Sequence, residues 1–300
     1  MSEAPAVPTR SGLIALVGRP NVGKSTLLNH LVGQKVSITS RKPQTTRQRL
    51  LGIKTVGDAQ LVFVDTPGFH LGHKKALNRY MNRTVSTTVA DVDLILFLVD
   101  RLHFTEEDEQ LLGNLARVEC PVFLVINKVD TLEDRTQLLP FIETARTRFP
   151  FVEVVPVSAL KEQNTAELEA TVIRYLPQNT WLFPEDQLTD RNARYLAAEF
   201  VREKITRQMG DELPYEVAVE IEEFRFDNEV HHISALILVE REGQKKMLIG
   251  NEGSRLKLIG TEARKDLERL LDGKVMLKLW VKVKSGWSDD ERALRSLGFD

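Results

Sequence analysis

A chain of 300 residues, 42% hydrophobic and 28% charged, has ordinary globular composition, which excludes a mostly disordered or fibrous protein and suggests about two domains. No run approaches ~18 uncharged apolar residues, and MSEAPAVPTR at the start has no apolar core between its charges, so neither a transmembrane helix nor a secretory signal is expected. The net charge of −2 hides an asymmetry: Glu185–Glu240 holds 6 Lys/Arg against 14 Asp/Glu, whereas Arg241–Gly286 holds 12 against 6, and a basic block at one end suggests an anionic partner there.

Residues 1–10 read as a disordered tail. From residue 11 short apolar runs alternate with helical patterns. Leu13–Val17, Ala59–Val64, Leu94–Val99, Val122–Ile126 and Val152–Val157 are rich in Val, Ile and Phe, as strands covered on both faces must be. Helical stretches such as Glu106–Arg117, Arg135–Arg148 and Ala166–Tyr175 lie between them. The alternation predicts a doubly wound α/β domain over 11–176.

Gly18-Arg19-Pro20-Asn21-Val22-Gly23-Lys24-Ser25, followed by Thr26, fits G-x-x-x-x-G-K-[ST] between the first strand and a helix, the context the motif requires. Glycines let consecutive backbone N–H groups face a β-phosphate, and the helix N-terminus adds partial positive charge. Lys24 is expected to reach the β- and γ-phosphates and Ser25 to ligate Mg²⁺. Asp65, in Asp65-Thr66-Pro67-Gly68 after a buried strand, is expected to hold a Mg²⁺-bound water, and the Gly68 N–H to meet the γ-phosphate. Asn127-Lys128-Val129-Asp130 also follows a strand. A carboxylate at Asp130 accepts from the N1–H and 2-amino group of guanine, donors that adenine lacks. Asn127 would approach the guanine edge, Lys128 would stack on the ring, and Ser158-Ala159 would offer an N–H to O6. The nucleotide is therefore GTP or GDP.

Cys120, the single cysteine, precludes an intrachain disulfide or a multi-cysteine metal site, reads as a small buried apolar group, and makes a reducing, cytoplasmic setting the default. Residues 177–188, with two prolines and no helical period, read as a linker to a domain over 189–300. There a helix (Asp190–Met209), two strands (Tyr215–Phe226 and His231–Glu240) joined at Asp227-Asn228-Glu229, a glycine-containing turn, a helix (Ser254–Leu271) and a strand (Lys274–Val283) predict a small α+β fold. Ser288 and Glu291 have capping-box spacing for a last short helix. Ile249-Gly250-Asn251-Glu252-Gly253 places a Gly-x-x-Gly turn where a nucleic-acid backbone can approach. Lys245, Lys246, Arg255, Lys257, Lys282 and Lys284 supply a basic surface around it. Trp280 and Trp287 both offer rings for base stacking; Trp280, in an apolar strand, is expected instead in the core, and Trp287, beside Gly286, partly exposed. Adjacent His231 and His232 face opposite sides of a strand and so do not suggest a metal site.

In order and spacing, the nucleotide motifs resemble those of the translation-factor-like GTPases. Ser40-Arg41-Lys42-Pro43-Gln44-Thr45-Thr46-Arg47 resembles the first switch of the Era and MnmE branch, and the C-terminal region resembles the type II KH domain of the Era family. The resemblance covers about residues 11–299. It implies Thr46 as a Mg²⁺ ligand and a catalytic set of Lys24, Thr46 and Gly68, with Asn21 and Thr45 as potassium-site candidates. It also implies a monomer that binds 16S rRNA near its 3′ end, assists 30S subunit assembly and makes peripheral contact with the inner face of the membrane. Where many relatives carry a catalytic Gln after the second-switch glycine, this chain has Phe69, so slow basal hydrolysis, stimulated by a partner or cation, is expected. Arg47, His70, His73, Lys74 and Lys75 are nearby candidates to supply the missing polarisation, although each reads first as a solvated switch-loop residue. The variable pair of the turn is Asn251-Glu252, where a Lys-Gly pair is common in the family. The rival reading is a signalling GTPase whose C-terminal domain binds a protein or membrane lipid. A tandem-domain ribosome GTPase is disfavoured by the single phosphate loop, and MnmE-like tRNA modification by the absence of a C-terminal cysteine.

Overall fold

The computed structural model describes residues 9–42, 45–68, 76–209 and 217–290. It divides into two compact units. The first comprises Met1–Ser37, Thr46–Leu71 and Met81–Asp190, and the second Ile38–Thr45, Gly72–Tyr80 and Arg191–Asp300.

In the first unit, β1 (Arg10–Val17), β2 (Leu50–Val56), β3 (Ala59–Asp65), β4 (Leu94–Asp100), β5 (Val122–Asn127) and β6 (Glu153–Pro156) form one sheet in the order β2-β3-β1-β4-β5-β6. β1 pairs in parallel with β3 and β4, and β4, β5 and β6 continue in parallel. The central strands are buried along nearly their whole length, which explains their unbroken apolar character. Sequence reading missed β2. It is an antiparallel edge strand interrupted by Gly52, where an added Cβ would stand 2.6 Å from Leu28 and 2.9 Å from Val32. Glycine there lets α1 (Lys24–Val32) lie close on the sheet. Further helices are α2 (Ala76–Ala90), α3 (Glu106–Leu115), α4 (Leu138–Arg148) and α5 (Thr165–Tyr175). Thr105 opens α3 with a capping box to Asp108, and four acidic residues in its first turn complement the helix dipole. Half-buried Cys120 packs against the core beside β4 and β5, and burial pushes its thiol pKa up.

The segment expected to be a linker packs on the first unit instead. Gln60 Oε1 accepts from Leu182 N at 2.8 Å and Phe183 N at 3.0 Å, and Phe183 covers Leu51, Ile53, Val62 and Val64. A buried glutamine without those partners would be costly, so these bonds hold the segment down.

In the second unit, α6 (Ala193–Gln208) is capped by Asn192, whose side chain accepts from Tyr195 N. β7 (Val217–Asp227), β8 (Val230–Val239) and β9 (Lys274–Val283) form a sheet in that order, β7/β8 antiparallel and β8/β9 parallel. Asn228 and Glu229 both have positive φ, 50° and 60°, as a two-residue type I′ hairpin requires. The expected glycine-containing turn holds a further helix, α7 (Glu242–Ile249), ahead of α8 (Ser254–Leu270). The order is thus α-β-β-α-α-β. Val201, Ile205, Ile237, Leu248, Ile259 and Ala263 form one part of its core. Ile38 lies in the other part, 2% exposed among Ala197, Phe200, Ile233 and Leu267. The expected short helix after Ser288 falls outside the described residues from residue 291 onward.

Candidate nucleotide site and nucleic-acid interface

The C-terminal ends of β1, β3, β4 and β5 bring the first site together, at the reversal of strand order where open α/β sheets bind ligands. At both of its ends the loop from Gly18 to Gly23 requires glycine. Gly23 has φ +102°, and a Cβ there would stand 2.2 Å from Asn127 Nδ2. A Cβ on Gly18 would meet Leu98 O at 2.5 Å, and one on Gly68 would meet the Pro20 backbone at 2.9 Å. Asn21 is also left-handed, at φ 63°. Ser25 and Thr26 stand in the first turn of α1, whose leading N–H groups have no acceptor within the helix and face outward as anion donors.

Lys24 is buried, and its Nζ donates to Gly18 O at 2.8 Å and Arg19 O at 3.0 Å. Burial lowers its pKa to about 8 against the opposing pull of Asp65. Asp65 is fully buried. Its Oδ2 accepts from Ser25 Oγ at 2.8 Å, Ser37 Oγ at 2.8 Å and Thr46 Oγ1 at 3.2 Å. Ser25 Oγ and Thr46 Oγ1 are 2.8 Å apart. Burial raises the Asp65 pKa, while Lys24 and the three hydroxyls oppose that rise. Asp65 Oδ1 is buried with no hydrogen-bond partner. Converging hard oxygens and an orphaned carboxylate oxygen suit a small divalent cation such as Mg²⁺. Thr66 Oγ1 donates to Leu16 O at 2.7 Å and fixes the start of the Pro67-Gly68 turn.

Asn127 is a strut. Its Nδ2 donates to Val22 O at 2.7 Å, and its Oδ1 accepts from Ala159 N at 3.0 Å and Lys128 N at 2.8 Å. It ties the phosphate loop to the 158–159 loop. Asp130 Oδ1 accepts from Ser158 Oγ at 2.5 Å, which aims its carboxylate. Lys128 Nζ donates to Asn21 O at 2.6 Å and pairs with Asp100 Oδ2 at 2.7 Å. Arg19 pairs with Asp100 and, at 3.1 Å, with Asp108, so its side chain braces the loop and its backbone is left to face phosphate.

Sequence reading missed Ser37, Asp100 and Asp108. Asp100 ends a buried strand as Asp65 does, and that signal was available. Ser37 follows no motif. Arg47, expected to be solvated, is 3% exposed. Thr45 lies in the second unit, where its Oγ1 donates to Lys42 O at 2.7 Å. Phe69, His70, His73, Lys74 and Lys75, with Pro43 and Gln44, lie outside the described residues.

The second site lies on the other unit. Gly250 (φ 73°) and Gly253 (φ 77°) frame exposed Asn251 and Glu252, the latter also left-handed at φ 49°. A Cβ on Gly250 would stand 2.8 Å from Arg255 Cβ, whereas one on Gly253 would enter open space. The turn leads into α8, and Gly253, Leu256, Lys257, Gly260, Arg264, Leu277 and Leu279 line a cavity of about 430 Å³ beside it. An apolar floor with basic rims suits bases and phosphates together. Lys246, Lys257, Lys282 and Lys284 are exposed and Lys245 and Ile249 half-buried. Arg255 Nη1 donates to Met247 O at 2.6 Å, so it also caps the end of α7. Arg264 was missed; it lies on the Lys257–Gly260 face of α8, where helical spacing placed it.

Both tryptophan expectations are reversed. Trp280 is 40% exposed and Trp287 is 1% exposed. The turn carrying Trp287 is fastened by Glu240, which accepts from Gly286 N and, at 3.1 Å, from Ser288 N.

A phosphate loop on a doubly wound sheet, a strand-end Asn-Lys-x-Asp, and a separate unit with a Gly-x-x-Gly turn define a P-loop GTPase carrying a KH domain. The family model for 50S ribosome-binding GTPases matches residues 13–128, and that for KH domains residues 212–288. GTPase Era of Ectopseudomonas mendocina (strain ymp) is 58% identical over 299 residues, covering 100% of this chain and 99% of that protein. GTPase Era of Pseudomonas aeruginosa (strain LESB58) is 60% identical over 291 residues, 97% of this chain and 95% of that protein. The crystal structure of Era in complex with MgGDPNP and nucleotides 1506–1542 of 16S ribosomal RNA superposes with a TM-score of 0.94 at 41% identity, covering 97% of this chain and 99% of that one. A point variant of Aquifex aeolicus Era bound to GDP·AlF₄⁻ matches equally, also at TM-score 0.94. The chain belongs to the Era family of GTPases and hydrolyses GTP.

Proposed function

We propose that this protein couples GTP hydrolysis in its first unit to recognition of 16S rRNA near the 3′ end by its second, and so assists assembly of the 30S subunit. The observation that carries the RNA half is the left-handed Gly250–Gly253 turn, set at the start of α8 beside an apolar cavity with basic rims. The Era structure bound to nucleotides 1506–1542 of 16S ribosomal RNA supports it.

In the first unit, Ser25 and Thr46 would hold Mg²⁺ directly and Asp65 through water. The ion would neutralise charge on the β- and γ-phosphates during in-line attack. Backbone N–H groups of 18–26 and Lys24 bind the phosphates, and Gly68 meets the γ-phosphate. Asp130 reads guanine, with Lys128 over the ring and Ala159 N–H toward O6. Asn127 and Arg19 hold the loops that present these groups. Asn21 and Thr45 are the positions through which a potassium requirement would act.

Crosslinking the protein to RNA in cells, with the bound sequence read out in both nucleotide states, tests the proposal. Enrichment of the 3′ end of 16S rRNA is expected. Crosslinks spread over many RNAs in proportion to their abundance would contradict it.

A further inference from the structure

β9 has two faces. Val275, Leu277, Leu279, Val281 and Val283 point into the unit and pack in its core. The alternate residues Lys274, Met276, Lys278, Trp280 and Lys282 are exposed, and Lys284 extends the run. Met276 is 46% and Trp280 40% exposed, a large apolar area to leave in water on a regular strand. Among the described residues no ion pair is formed by Lys274, Lys282 or Lys284, and Glu223 lies near Lys278. β9 is also an edge strand, with β8 on one side only. Its inward residues Leu277 and Leu279 line the cavity beside Gly253. A chain that leaves that cavity across the strand edge therefore arrives at Trp280.

We propose that this open face is a second single-stranded RNA surface, continuous with the cavity, on which Trp280 stacks against one base and Lys278 and Lys282 take the flanking phosphates. Residues two apart on a strand repeat at about 6.7 Å, so the aromatic face sits between two cations. Aromatic platforms interleaved with positive charge bind single strands without regard to sequence. Leu236, half-buried directly beside Trp280 on β8, widens the platform. The exposed Glu220 and Glu222 on β7 keep an anionic chain to the β9 side. A lipid surface fits less well, because lysines interrupt the apolar side chains at every second exposed position. The inference rests on the RNA-binding reading and lengthens the bound segment.

The test compares Trp280→Ala and Trp280→Phe with the parent on two oligocytidylate probes. One is a tetranucleotide, the length a Gly-x-x-Gly clamp grips; the other has about twelve nucleotides. Trp280→Ala should weaken the long probe about 5- to 150-fold, the range of one stacked base, and leave the short one unchanged. Trp280→Phe should recover most of the loss. In a Trp181→Phe background the long probe should quench Trp280 emission, since Trp287 is 1% exposed and out of reach. An unchanged long-probe affinity, or an equal loss on both probes, overturns the inference, as does loss of anionic phosphatidylglycerol vesicle binding with RNA binding intact. Gly253→Asp separates the two levels. If it leaves both probes unaffected, the RNA-binding reading itself fails.

Discussion

Asn127→Asp is nearly isosteric and isolates one bond of the nucleotide site. In the parent, Asn127 Nδ2 donates to Val22 O at 2.7 Å while Oδ1 accepts two backbone N–H groups. The substitution keeps the acceptor and converts the donor into a second oxygen, 2.7 Å from a carbonyl oxygen at a residue only 3% exposed. The lost bond contributes about 1 kcal/mol, and the buried Val22 carbonyl left without a donor costs about 1–3 kcal/mol more. Charge on the new carboxylate adds a desolvation penalty in the same direction. The 18–23 loop must move, and the phosphate-binding geometry with it. GDP affinity should fall by about 2–4 kcal/mol, roughly 30- to 1,000-fold, as measured by titration with a fluorescent GDP analogue. Asn127→Ala, which also orphans Ala159 N, should fall at least as far. Parent-like GDP affinity in Asn127→Asp, with the domain folded by circular dichroism, would refute the strut.

Asp130→Asn should lose guanine preference and accept xanthine, because two charge-assisted bonds of about 1.5–3 kcal/mol each are removed or reversed; competition between GTP and XTP reads this, and retained GTP preference would contradict it. Lys24 has a pKa of about 8 in the free chain, and bound phosphate raises it, so binding takes up a proton. GTP affinity should be full below about pH 8 and fall up to tenfold per unit above it, a profile that a flat response from pH 7 to 9.5 would rule out. Ile38→Ala should destabilise the second unit by about 2–5 kcal/mol because it empties a core position; thermal unfolding within about 0.5 kcal/mol of the parent would show that Ile38 does not pack there.

The nucleotide site was legible because its residues are local. Asp65 ends a buried strand, and Lys24 and Asp130 stand within one short loop of the ends of β1 and β5, so chain position gives spatial position. Ser37 was not legible, since its bond to Asp65 spans 28 residues and depends on how the loop returns. β2 was hidden by Gly52, a packing requirement that reads as a strand breaker. α7 was hidden by Gly243 in its first turn and by its length of 8 residues. The two tryptophans were exchanged for different reasons. Trp280 falls in phase with Lys278 and Lys282, and a strict period of two puts it on the lysine face; treating the strand as uniformly apolar lost that information. Trp287 is buried by a turn that Glu240 fastens from 46 to 48 residues away, which no local pattern reports.

The most direct test of the two-part reading is RNA affinity of Gly253→Asp across a salt series, with GTP affinity measured on the same samples. Gly253 has φ +77° and faces open space, so the aspartate adds strain and negative charge where an RNA backbone would come close. The account predicts at least about tenfold weaker binding to a 16S 3′-end oligoribonucleotide, a loss of about 1.4 kcal/mol or more, with GTP affinity unchanged. Equal RNA affinity in parent and variant, with the second unit folded, would contradict it.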